Sequence, residues 1–370
     1  MATKLVAKGN IINNNKSGRE YIRHAGKNDI CAIREIWRNI FTADEDYLDV
    51  IFNDLYPLLD AYVYTIEEKV VSVAFAIPIT LIERNAKDSS AQKETTYYGR
   101  YLYGVATLDE ARGRGLSREL VKHIKEHYTA AGEDFIITRP AEESLFSFYK
   151  SQGFSLPLYR QELTVNLNHL CQSSKSLNCY RETADYNIDI SAKELSNLRT
   201  DLSQNIFEWS IPILECILKL FKVEKSVIRH SQECKNYFIG SCYSQESDNN
   251  TTPLAINNNT SQNLAQQENQ RKLIIQENNF NSLDKLFSNI LKINDIIINE
   301  NNRDPHTGDF DKTESITIIQ PVKANTKRST DEINNTLYVD NISEFALCMP
   351  LSDNITDELI QTSFFNFTME

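Results

Sequence analysis

The chain has 370 residues, 41% of them hydrophobic, and a formal net charge of -12. That length exceeds one ordinary domain and predicts two lobes with real cores. The negative charge argues against a general polyanion binder, because affinity for nucleic acid or an anionic membrane comes from clustered Lys and Arg. Residues 1–170 are nearly neutral, with 21 basic against 23 acidic side chains, which leaves 18 against 28 for the remainder. The seven cysteines are scattered and form no CxxC pair, as expected of reduced thiols. The first residues lack the apolar core of a signal peptide, and the longest apolar run, Val70 to Ile82, is too short to span a bilayer. A cytoplasmic protein with no membrane or nucleic-acid partner is expected.

A polar leader over residues 1–20 precedes YIRHAGKNDICAIREIWRNIF, which predicts a strand and then a helix. Ile33, Ile36, Trp37 and Ile40 recur at helical spacing, and Asn28 or Asp29 can cap the start. DEDYLDVIFNDLY predicts a second helical piece. AYVYTIEEKVVSVAFAIPITLI predicts two strands around a Glu-Glu-Lys turn, and YYGRYLYGVATL an aromatic and β-branched strand. A helix from Gly115 to about Ala131, the strand DFIITRP, a helix ended by Gly153 and a strand near LYRQELTVNL complete an α/β (α+β) domain over residues 21–166.

Residues 167–370 predict a second α/β lobe. IFEWSIPILECILKLFKVEK reads as one amphipathic helix and NSLDKLFSNILKI as another; KNYFIGSCYS, SITIIQPV, TLYVDNI and FFNFTME read as strands. The Asn/Gln-rich stretch at about 244–270 has almost no large apolar residues and predicts a disordered insertion.

Chemistry concentrates in GVATLDEARGRGLSREL, Gly104 to Leu120. Backbone N–H groups at a helix N-terminus point along its axis, where the dipole amounts to roughly half a positive charge. In RGRGLS, Gly113 and Gly115 let the backbone approach an anion, and Arg112 and Arg114 add mobile charge. A negatively charged chain can thereby hold an anionic ligand locally. Neither the P-loop pattern nor GxGxxG is present.

Val105-Ala106-Thr107, then four intervening residues and Arg112-Gly113-Arg114-Gly115-Leu116-Ser117, resembles the acetyl-CoA motif [Q/R]xxGx[G/A] of the GNAT superfamily of N-acetyltransferases. Arg112 and Gly115 match, while Ser117 stands where Gly or Ala is usual. LFSFYKSQGF resembles the family's FYxxxGF element, whose tyrosine here is Tyr149. The resemblance implies a mixed, mostly antiparallel sheet flanked by helices, with a strand at Val105, Ala106 and Thr107 pairing with pantetheine and a cradle of Arg112, Gly113, Arg114, Gly115, Leu116 and Ser117 for the pyrophosphate. It implies transfer of acetyl from acetyl-CoA to a small-molecule or peptide amine in a ternary complex, with Tyr149 as acid. The two-lobe plan is similar to the enhanced-intracellular-survival (Eis) type, which implies that the Glu370 carboxylate reaches the active site and that the second lobe is a degenerate GNAT-like repeat. A non-catalytic acyl-CoA sensor is the alternative, and a homo-oligomer stays open.

HIKEH, His123 to His127, matches the HxxEH zinc-peptidase pattern. Its histidines fall beside the buried stripe of their helix, so no metal is expected. Cys31 is expected in the core. Trp37, Tyr97, Tyr98, Tyr101 and Tyr103 are candidates for an amine pocket through cation–π contact.

Overall fold

The computed structural model describes residues 20–84, 94–166, 190–200, 205–224, 227–231, 236–244, 271–278, 313–322, 339–361 and 363–364. The leader before Glu20, the insertion beyond Ser244, the helix expected at 281–293 and Glu370 lie outside the described residues.

The first half follows the expected order. β1 (Glu20–His24) leads to α1 (Ile30–Ile40) and α2 (Glu45–Asp49), which continues as a wider helical turn through Val50–Leu55. β2 (Asp60–Ile66) and β3 (Lys69–Arg84) form a hairpin whose turn residues, Glu67 and Glu68, both have positive φ, as the right-handed twist of a tight hairpin requires. β4 (Glu94–Thr107), α3 (Leu116–Ala131), β5 (Phe135–Thr138), α4 (Glu143–Ser151) and β6 (Leu156–Asn166) follow.

Beyond residue 190 come α5 (Ala192–Thr200), β7 (Asn205–Glu208), α6 (Ile211–Val223), β8 (Val227–Ser231), β9 (Asn236–Ser244), β10 (Arg271–Asn278), β11 (Thr313–Val322), β12 (Val339–Pro350), α7 (Asp357–Gln361) and β13 (Ser363–Phe364). The segment expected as one helix from Ile206 is in fact divided. Its first residues form β7, which pairs with β3 at Thr80–Ile82, and the helix starts only after Ser210. Tertiary pairing has overridden the helical period there.

Among the described residues the strands form one mixed sheet, ordered β1-β2-β3-β4-β5-β12-β6-β11-β10-β9-β8, with β7 and β13 attached at β3. Pairing is antiparallel except for β4–β5, β10–β11 and β7–β13. β12 lies between β5 and β6, pairing Leu347 with Thr138 on one side and with Pro157 on the other. The sheet therefore runs across the expected boundary at residue 166.

Helices cover both faces. Leu116, Leu120, Val121, Ile124 and Tyr128 pack α3 beneath Tyr62, Leu102 and Ile136, with Tyr149 of α4 in the same cluster. At about 1.5–3 kcal/mol for each buried aliphatic side chain, this stripe fixes where the N-terminus of α3 points. The opposite face carries Ile33, Ile36 and Trp37 of α1, Leu48 of α2, and Ile213, Leu214 and Ile217 of α6. Cys31 is exposed, not in the core as its spacing suggested, because its position in α1 falls outside that buried stripe.

Candidate active site

The site forms where two central strands part. β4 and β5 pair in parallel only from Gly99–Phe135 to Leu102–Thr138. Beyond Leu102, β4 keeps β3 on one side, and among the described residues no strand pairs with its other edge. At the same point β4 bulges: Tyr103 pairs with Phe75 and Ala106 with Val73, so Gly104 and Val105 together face a single intervening residue of β3. Gly104 has φ +59, and a Cβ built there would lie 2.2 Å from Cζ2 of Trp37. Only glycine fits that position, where the bulge and the indole meet.

A cavity of about 490 Å³ opens at the parting. Tyr101, Tyr103, Gly104 and Val105 of β4 form one wall. Thr138 and Arg139 at the end of β5, with Leu145 and Tyr149 of α4, form another. Trp37 and Phe41 of α1, Asp44 and Tyr47 form the third. Trp37 stacks on Phe75 with ring centroids 5.1 Å apart, and the Tyr47 and Tyr103 hydroxyls share a hydrogen bond of 2.8 Å. Burial holds the Tyr103 phenol well above its usual pKa. Trp209, next to β7, packs edge-on against Tyr101 at 5.6 Å, so the C-terminal part of the chain buttresses this wall.

Tyr149 is 7% exposed. Burial pushes its pKa up to about 12, partly offset by a hydrogen bond with Thr138. The phenol stays protonated throughout the neutral range and is available as a donor.

The second half of the site is the turn that follows β4. Ala106 and Thr107 pair with Val73 and Ser72, and three hydroxyls tie strand to helix: Ser72 to Thr107 at 2.8 Å, and Thr107 to Ser117 at 2.8 Å. Ser117, where the motif usually has Gly or Ala, fastens the first turn of α3 to β4. Arg112, Gly113, Arg114 and Gly115 are exposed, whereas Leu116 is buried and can offer a ligand only its backbone. Gly115 caps α3 in a left-handed conformation at φ +80, with nothing within 4 Å of a built Cβ. The first N–H groups of α3 have no partner inside the helix and face that open space. Arg112 pairs with Asp109 at 3.0 Å and donates to the Thr107 carbonyl; Arg114 reaches Glu20 at 2.7 Å, and the Tyr64 hydroxyl also donates to Glu20. Both guanidiniums are thus held on carboxylates beside the turn.

Residues 21–156 match the model of a family described as an acetyltransferase (GNAT) domain. This part of the chain is a GNAT acetyltransferase domain. As folds, this chain and three solved structures are similar over most of their lengths. A conserved protein of Enterococcus faecalis, described as a probable N-acyltransferase, has TM-score 0.58 and 13% identity, covering 89% of this chain and 71% of that one. A GCN5-related N-acetyltransferase from Anabaena variabilis has TM-score 0.55 and 11% identity, covering 90% and 73%. Eis1 from Mycobacterium abscessus has TM-score 0.51 and 9% identity, also covering 90% and 73%. No curated protein matches the chain. The family model supports acyl transfer as the general activity.

Of the expected site residues, the structure brings Val105 and Tyr149 to one cavity and places the 112–117 turn at the end of the same strand. Trp37, Tyr101 and Tyr103 line the cavity. Tyr97 and Tyr98 do not: Tyr97 donates to Glu83, and Tyr98 is exposed on the far end of β4. Sequence reasoning missed Asp44 and Arg139. Asp44 stood only as one acid among several, although its place as N-cap of α2, accepting from the Tyr47 N–H at 2.8 Å, was a readable signal. His123 and His127 lie on α3 against Tyr62, and among the described residues no group of three metal-ligating side chains converges. No described helix is long and apolar enough to cross a membrane.

Proposed function

We propose that the protein transfers the acetyl group of acetyl-CoA to a primary amine by direct attack in a ternary complex. The observation that carries this reading is the parting of β4 from β5 at a cavity that Tyr149 closes on one side, while the turn entering α3 lies at the end of the same strand. The edge at Val105, Ala106 and Thr107, which no described strand occupies, offers the pantetheine amides a strand to pair with. The glycine turn and the first N–H groups of α3 suit a pyrophosphate, and Arg112 and Arg114 can swing from Asp109 and Glu20 onto it.

An alkyl amine with a pKa of about 10.4 is neutral only about one part in a thousand near pH 7, which adds roughly 4–5 kcal/mol to the barrier. The neutral amine attacks the thioester carbonyl, the amide bond forms, the C–S bond breaks, and the amine's proton passes to solvent. Tyr149 acts on the sulfur. With its pKa pushed up to about 12, full proton donation to a solvent-exposed thiolate of pKa about 8.5 would be several kcal/mol uphill. Its main contribution is a hydrogen bond to the developing thiolate inside a dry cavity, where the thiolate's own proton affinity is also raised.

Thiol release from acetyl-CoA with a panel of amines, with the acetylated product confirmed by mass, tests the reading. Tyr149→Phe should lower kcat about 100-fold while leaving CoA binding unchanged. Full turnover in that variant would remove Tyr149 from the chemistry.

A further inference from the structure

We propose that the acceptor is a compact primary monoamine with an apolar or aromatic body, its ammonium drawn to Asp44 at the mouth and its body laid against Trp37 and Tyr103. This rests on the acyl-transfer reading and narrows it to a class of acceptor.

Three observations carry the proposal. The wall supplied by α1, α2 and β4 is built of rings: Trp37, Phe41, Tyr47, Tyr101 and Tyr103. Aromatic faces hold alkyl and aryl bodies and attract one cation. The two phenols best placed to hydrogen-bond a polyol, Tyr47 and Tyr103, hold each other at 2.8 Å, so this wall presents ring surface more than donors. Charge then limits the number of ammonium groups. Among the described residues the lining has a single carboxylate, Asp44, and a single guanidinium, Arg139, on the opposite wall beside Tyr149. One ammonium can meet Asp44. Each additional one would enter a ring-lined space without a counter-charge and nearer Arg139, an arrangement that costs its desolvation without return. Polyamines and aminoglycosides are therefore poor acceptors for this cavity.

Asp44 also caps α2, so the informative substitution is Asp44→Asn. Asparagine caps as well as aspartate and keeps an oxygen for the Tyr47 N–H while removing the charge. The chain has two tryptophans, one of them in the cavity wall, so intrinsic fluorescence of the full chain reports occupancy. Phenethylamine is expected to bind at least about tenfold tighter than spermidine or kanamycin. Asp44→Asn should weaken phenethylamine about three- to fivefold, as loss of an exposed ion pair does, with the melting temperature unchanged. A polycation that binds as tightly as phenethylamine, or an Asp44→Asn variant with unaltered binding, overturns the proposal. Thiol release in the same samples separates the two claims: phenethylamine that binds as expected but accepts no acetyl group supports the ligand class and overturns the reaction.

Discussion

The turn that enters α3 and the wall that α1 and α2 raise beside Tyr103 face the same strand and are built in opposite ways. The turn is local. Arg112 through Ser117 supply backbone, two glycines and two guanidiniums, and Leu116 needs only to be buried for the N–H groups to point outward. The wall is assembled from distant elements: Trp37 must stack on Phe75, Tyr47 must meet Tyr103, and Trp209 must support Tyr101. On the proposed reading, the donor's site is written in a few consecutive residues, whereas the acceptor's is made by packing and its chemistry depends on which rings arrive.

The largest expected effect breaks the wall. Gly104→Val places a side chain where Trp37 already stands, in a backbone conformation that β-branched residues avoid. A loss of roughly 3–5 kcal/mol is expected, lowering the melting temperature by about 10 °C and abolishing turnover. A variant that melts like the parent would mean that the bulge and the indole are not in contact. A smaller effect breaks the turn. Arg114→Ala should raise the Kd for CoA about fivefold, less at high salt, because the guanidinium must first leave Glu20. Glu20→Gln, which releases it, should tighten CoA about twofold. If both substitutions weaken CoA equally, Glu20 is positioning Arg114 and does not compete for it.

The smallest effect separates the two regions by pH. Burial lowers the pKa of His123 and His127 on α3; the charge of His127 lowers His123 further against Glu126, and around His127 Arg100 lowers while Asp60 and Glu133 oppose. A histidine with a depressed folded pKa stabilises the fold above its unfolded value near 6.5 and loses that contribution as pH falls below it. Melting temperature should therefore drop by about 2–4 °C between pH 7 and pH 5, and His127→Gln should flatten the slope. Because both imidazoles lie on α3, CoA binding should weaken over this range before phenethylamine binding does.

Much of the first half was readable from period and punctuation. The β2–β3 hairpin, the long β4, the α3 stripe and the glycine cap follow from alternation, helical spacing and turn chemistry, all short-range signals. Val105 and Tyr149 were singled out by the resemblance to the family's motifs, and both line the cavity. The parting of β4 and β5 was not readable, because it depends on where a parallel pairing stops. The division of IFEWSIPIL into a strand and a helix had the same cause: β7 is a strand because β3 offers an edge at Thr80–Ile82, not because its own four residues demand it. Asp44 and Arg139 were invisible as a pair, since only the closed fold brings a loop after α1 opposite the end of β5.

The place of β12 bears on how the molecule is made. β5 and β6 leave the ribosome early, yet the slot between them is filled by Leu347 and its neighbours, so the strand that lines the cavity with Thr138 has an open hydrogen-bonding edge through most of synthesis. The acetyltransferase half therefore finishes folding only when nearly all of the chain has emerged. A fragment ending at Asn166 would hold every motif residue of that half except a closed sheet, and two bare edges would invite pairing with another copy.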